Sequence, residues 1–166
     1  MRELKTDYTR WQFIALLMLR LAIGWHFLYE GIAKILNPRW TSMAYLLDAQ
    51  GFLADFYHSL AENAALLSGV DWANKAGLTL IGLSLITGCL TKWGSMGGIL
   101  LLLLYYLSHI PYVGAEYLLP SEGAYLIIDK NIIEMFGLLV IIQFPTSHIL
   151  GIDRWLVLKK SLRKWV

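Results

Sequence analysis

Cysteine is nearly absent from this chain: Cys89 is the single one among 166 residues. No intrachain disulfide can form and there is no Cys-x-x-Cys, so thiol–disulfide relay chemistry within one chain is excluded. Cys89 falls near a predicted helix end and reads as a small packing residue. Charge is scarce too. Only 16% of residues are charged, against about 25% in ordinary soluble domains. The net charge of +2 is too small for a nucleic-acid binder, and no basic run lies among stacking aromatics. No haem, flavin, iron–sulfur or metal motif is seen, and no internal repeat.

What is present is apolar. Hydrophobic residues make up 57% of the chain, with seven Trp and nine Tyr suited to an interfacial belt. The composition predicts one integral membrane domain. Four segments are long and apolar enough to cross about 30 Å of hydrocarbon: 11–36, 71–90 with Asp71 as a plausible N-cap, 93–108 and 125–144. Only Thr91 and Lys92 separate the second from the third, which predicts a tight antiparallel hairpin. The first span is too long for a signal peptide, is broken by Arg20, His26 and Glu30, and is followed by no A-x-A-like cleavage site, so it is expected to remain.

The bias of cations sets the orientation. Arg2, Lys5, Arg10, Lys92, Arg154, Lys159, Lys160, Arg163 and Lys164 fall on one side, and Lys34, Arg39, Lys75 and Lys130 on the other; with intramembrane Arg20 these are all fourteen. Both termini are therefore expected in the cytoplasm. Between spans one and two, residues 41–68 repeat Leu53, Phe56, Tyr57, Leu60, Ala64 and Leu67 at helical spacing, with Asp55, His58 and Glu62 opposite. This predicts an amphipathic helix on the outer surface, broken from a shorter one near Gly51. Residues 111–124 read as an irregular outer loop capping the bundle. Residues 153–166 read as a basic tail lying on the anionic inner leaflet. The predicted fold is thus all-α: a four-helix membrane bundle with an outer amphipathic segment.

The first span carries Arg20, His26, Glu30 and Lys34 within an arc of about 120°. A charge near the bilayer centre costs roughly 3 kcal/mol, so this stripe must face protein or water. Arg20, nine residues into the span, is expected near the midplane, and the other three climb outward at four-residue steps. Span four enters from the same side with Asp129, Lys130, Asn131 and Glu134, and span three ends there with Tyr105, Tyr106, Ser108 and His109. A wet outer pocket is the functional reading. The plainer reading is a set of interface pairs, Glu30 with Lys34 and Glu134 with Arg20 or Lys130. Trp25, Phe27, Tyr29, Tyr105 and Tyr106 are candidates to wall a quinone slot, though core and belt packing is the commoner use of such residues.

These residues resemble the DoxX/DoxD family, in particular the DoxD-type small-subunit-like proteins named for thiosulfate:quinone oxidoreductase. The matching strings run R-L-A-I-G-W-H-F-L-Y-E-G-I-A-K from Arg20, A-Y-L-L-D-A-Q-G-F-L-A-D-F from Ala44, V-D-W-A-N-K-A-G-L from Val70 and I-G-L-S-L-I-T-G-C-L-T from Ile81. L-L-L-Y-Y-L-S-H-I-P from Leu102 and D-K-N-I-I-E from Asp129 complete them. Family-like positions are Arg20, Gly24, Gly31, Lys34, Asn131 and Glu134. His109-Ile110-Pro111 stands where other members have a Pro-Pro pair. The resemblance implies a multi-pass protein of the bacterial or archaeal inner membrane, and a name-giving activity in which periplasmic thiosulfate is oxidised to tetrathionate and electrons pass to quinone.

Three functions are weighed on this basis. The first is a quinone-linked oxidoreductase subunit, with His26, Glu30 and Glu134 as proton-handling residues and Arg20, Lys34, Tyr105, His109, Lys130 and Asn131 binding quinone or a small anion. The second is a non-enzymatic accessory or assembly protein for a second membrane subunit, or a homo-oligomer. The third is a proton or small-anion pathway, disfavoured because spans two to four offer no matching charges in the inner half.

Overall fold

The structure, a computed structural model, describes residues 8–111, 117–118 and 126–155, and its regular structure is helical. The first helix, α1 (Arg10–Leu36), starts at a capping box: the Gln12 N–H donates to Thr9 Oγ1, and the Thr9 N–H donates back to the Gln12 side chain. Its 27 residues span about 40 Å. Among the described residues it is the one helix long and apolar enough by itself to cross a membrane. Two short helices follow, α2 (Met43–Leu47) and α3 (Ala54–Glu62). The break between them falls at Gly51, whose φ of +91° is readily adopted only by glycine.

The fourth helix, α4 (Ala64–Thr87), begins seven residues before Asp71. Asn63 is the N-cap, accepting from the Ala65 and Leu66 N–H groups. Asp71 is therefore not a cap: one carboxylate oxygen accepts from the Ser42 N–H at 2.8 Å and the Ser42 hydroxyl at 2.6 Å, tying the start of α2 to α4. A turn through Gly88 and Leu90, both left-handed, leads into α5 (Thr91–Ser108). The last long helix, α6 (Lys130–Gln143), is capped by Asp129, so it is shorter than the predicted segment 125–144. Of the predicted outer loop at 111–124 and basic tail at 153–166, only 111, 117–118 and 153–155 fall within the described residues.

The four long helices pack in a closed ring, α1 on α4, α4 on α5, α5 on α6 and α6 on α1. Contact of α1 with α4 is close because glycines meet backbone. A Cβ on Gly82 would lie 2.7 Å from Leu28 Cα, and one on Gly31 would lie 2.7 Å from the Thr79 backbone nitrogen. Gly82→Ala is expected to force these helices apart and to lower stability by about 1–3 kcal/mol, read as a drop in the melting temperature of detergent-solubilised protein.

The core comprises Ile23, Phe27, Leu78, Ile81, Leu85, Leu102, Leu138 and Ile141. Polar side chains are buried with them, including Arg20, Asn74, Ser95 and Ser108, while Trp25, Leu80, Leu100 and Phe136 face outward at 59–65% exposure. Large apolar residues outside and polar groups inside suit a lipid surrounding, since soluble monomers rarely expose broad apolar patches.

Opposite ends of the bundle are built differently. At one, Thr87 and Gly88 accept backbone bonds from Ile152 and Asp153. Leu90, preceding α5, offers no capping side chain, and Asp153 supplies one from 63 residues away: its carboxylate accepts from the Leu90 N–H at 2.7 Å and from the Thr91 N–H and hydroxyl. Burial raises the Asp153 carboxyl, but these bonds outweigh it and hold it below the ordinary aspartate value. At the other end, α2 and α3 fold against α4 and α5, with Tyr45 Oη donating to the Tyr105 carbonyl and Tyr57 Oη to that of Leu104.

Candidate functional site

The four-residue repeat on α1 carries His26, Glu30 and Lys34 to the α2 end of the ring. Lys34 Nζ donates to Glu30 Oε2 at 2.7 Å within the helix. His26 Nδ1 lies 2.8 Å from Glu134 Oε1 on α6. The Glu134 side chain is 10% exposed and that of His26 48%, so this pair has one end inside the ring and one at its outer face.

Two adjoining cavities open beside these pairs. The larger, about 400 Å³, is lined by Glu30, Lys34, Trp40, Thr41, Ser42, Ala44, Tyr45, Asn74, Tyr105, Lys130 and Asn131. The smaller, about 110 Å³, shares Glu30, Lys34, Tyr105, Lys130 and Asn131 and adds His26, Phe27, Leu78, Leu102 and Glu134. The Trp40 ring is flanked by two cations, Lys34 Nζ at 5.5 Å and Lys75 Nζ at 5.2 Å from its centroid. Lys130 makes no ion pair among the described residues. Asn131 donates to Asp129 at 2.6 Å, which fixes its amide beside the α6 cap.

Asn74 lines the larger cavity, and the sequence does not point to it. It is buried, its amide nitrogen donates to Tyr105 Oη at 2.6 Å, and its amide oxygen has no partner among the described residues. A buried unpaired amide atom costs about 1–3 kcal/mol, which a bound polar group in the cavity would recover. The available signal was an asparagine in the middle of an apolar helix, beside the more conspicuous Lys75. Trp40, Ser42 and Tyr45 were also unassigned, because a connection between helices gives no periodic cue to the face it covers. Burial pushes the Tyr45 hydroxyl up to about 12, so it stays a neutral donor.

Of the nine residues singled out from sequence, His26, Glu30, Lys34, Tyr105, Lys130, Asn131 and Glu134 line these cavities. Arg20 and His109 do not. Arg20 is 1% exposed and sits at the opposite end, level with the α4–α5 turn rather than midway along the ring. Its Nη1 donates to Thr146 Oγ1 at 3.0 Å and its Nη2 to the Leu150 carbonyl at 2.9 Å. Of the candidate aromatic walls, Phe27 and Tyr105 line the cavities, whereas Trp25 and Tyr29 face outward and Tyr106 Oη donates to the Ile127 carbonyl.

His109 follows α5 and lies between two rings, Tyr45 at 4.1 Å and Tyr117 at 4.6 Å between centroids. Its Nδ1 is 2.9 Å from Ser108 Oγ, and its Nε2 is 3.5 Å from Asp48, too long for an ordinary hydrogen bond. Burial pushes the His109 imidazole below its usual value, against the opposing pull of Asp48. The unfolded chain then binds a proton more readily than the folded one, so stability falls as pH drops through the unfolded value of about 6.5. His109→Gln is expected to flatten that slope in melting curves recorded across this range. An unchanged slope would show that another group carries it.

No curated protein and no solved structure matched the chain. The model of the DoxX family matches residues 15–109, which take in most of α1, all of α2 to α5 and most of the cavity lining. That match covers more than half of the sequence, and the chain belongs to the DoxX family.

Proposed function

We propose that this DoxX-family membrane protein is a quinone-linked oxidoreductase subunit whose cavity at the α2 end takes the quinone head group and a small sulfur anion such as thiosulfate. The observation that carries this reading is the convergence of Lys34, Lys130, Asn131, Asn74 and Tyr105 on a cavity of about 400 Å³, a size in the range of small-molecule sites. On this reading all four long helices cross the inner membrane and the cation bias puts the cavity on the periplasmic side. Joining two thiosulfate ions as tetrathionate releases two electrons, and quinone takes these with two protons to become quinol. Lys34 and Lys130 supply charge-assisted bonds to a carbonyl oxygen or an anion. The His26–Glu134 pair, which lines the smaller adjoining cavity, hands in protons.

The test is full-length protein in lipid nanodiscs, with quinone binding followed by tryptophan quenching and quinone reduction followed on adding thiosulfate. Binding together with donor-dependent reduction is expected. Protein that neither binds quinone nor reduces it with any sulfur donor, from about pH 5 to 8, overturns the reading.

A second reading has its own support. The Glu30–Lys34 and His26–Glu134 pairs are closed within the chain, as a scaffold needs. In that case the protein is an accessory subunit, and purification in mild detergent retains a stoichiometric membrane partner.

A further inference from the structure

A third cavity, of about 310 Å³, opens at the opposite end of the bundle, between the start of α5 and the end of α6. Pro145 cannot continue α6, and the chain turns away through Ser147 and His148, leaving a cleft between the two helix ends. Its walls are apolar: Leu90, Trp93, Ile141, Ile142 and Pro145. Two hydrogen-bond donors, the Lys92 ammonium and the His148 imidazole, stand exposed along it. The one carboxylate there, Asp153, is turned inward onto the α5 N-terminus and is 9% exposed. Exposed Arg154 adds a further cation close by.

Whatever fills this groove must be apolar along its length and anionic at its head. The chain's own tail does not qualify: after Trp155 it carries Lys159, Lys160, Arg163 and Lys164 and no acid. A second copy would bring the same cations to the contact. Basic pockets between membrane helices on the cytoplasmic side suit anionic head groups, and the cation bias places this end there. We propose that the groove holds one anionic phospholipid, with its phosphate held by Lys92 and His148 and an acyl chain along Trp93, Ile141 and Ile142. This site requires only that the chain sits in a bilayer, not that the other cavity is catalytic.

The test is delipidated full-length protein titrated with phosphatidylglycerol or phosphatidylcholine in detergent, with lipid retention read by native mass spectrometry. One phosphatidylglycerol is expected to be retained in preference to phosphatidylcholine. Lys92→Ala with His148→Ala should cut that retention about tenfold, since one surface lysine contributes about fivefold and the lost imidazole hydrogen bond adds a smaller factor. Both residues are exposed, so the fold should survive. Ile142→Trp, which fills the groove and leaves the charges in place, should also displace the lipid. Glycerol phosphate, which has the head chemistry without the chains, should not compete. Equal retention of the two lipids, competition by glycerol phosphate, or loss only on removing Lys159 and Lys160 overturns the assignment.

Discussion

Arg20→Ala is expected to lower stability by about 3–5 kcal/mol, the largest effect of any single substitution described above. The guanidinium is 1% exposed and donates to Thr146 Oγ1 and the Leu150 carbonyl, holding the segment after α6 against α1. Removing it leaves those acceptors unpaired and opens a void beside Gly88, whose Cβ position lies 3.5 Å from Arg20 Nη1. The same segment carries Asp153, which caps α5, so the loss should spread to the α4–α5 turn. Arg20→Lys is expected to recover only part of it, because a single ammonium cannot reproduce the two-pronged geometry. Denaturant or thermal unfolding in detergent, followed by tryptophan fluorescence, reads both variants. A wild-type midpoint for Arg20→Ala would show that the buried bonds contribute nothing.

The second expectation has the opposite profile. Lys34→Met should weaken quinone or anion binding by about 10- to 100-fold, the loss of one or two charge-assisted bonds. It should change stability by less than about 1 kcal/mol, since the freed Glu30 carboxylate is 44% exposed and remains open to water, while Met keeps the apolar stem of the 16% exposed Lys34. Glu134→Gln should slow thiosulfate-dependent reduction by about 100-fold or more if the His26–Glu134 pair carries protons, with binding nearly intact. Isothermal binding and stopped-flow reduction in nanodiscs separate the two effects. Variants at Lys34 and Glu134 that both turn over like wild type would remove the cavity from the chemistry and leave the accessory reading.

This contrast between Arg20 and Lys34 was not legible along α1. They share one stripe, and stripe membership depends only on angular spacing. They are fourteen residues apart, however, which is about 21 Å along the axis. What each one meets at its own height is set by how the neighbouring helices are staggered. Leu28 packs at Gly82 and Gly31 at Thr79, and that register brings Arg20 level with the turn after α4. Asp71 shows the same limit: a carboxylate before an apolar run reads locally as a cap, but its donors come from Ser42, 29 residues away. By contrast, the α2–α3 break at Gly51 and the presence of a short α4–α5 turn depend on neighbouring residues, and local chemistry sufficed for them, although the turn lies at Gly88–Leu90 and Thr91 and Lys92 already belong to α5.

Residue order alone determined the helical class, the apolar surface and the family strings, because composition and periodicity are properties of short windows. It also selected most of the polar residues around the cavity, since charges within apolar helices are too costly to be incidental. Only the tertiary structure decided which of those charges share a cavity, that Asn74 and Trp40 join them, and that Arg20 belongs to a staple at the far end. The physical reason is that pairing and burial depend on contacts between helices distant in sequence, and no local pattern records the stagger that creates them.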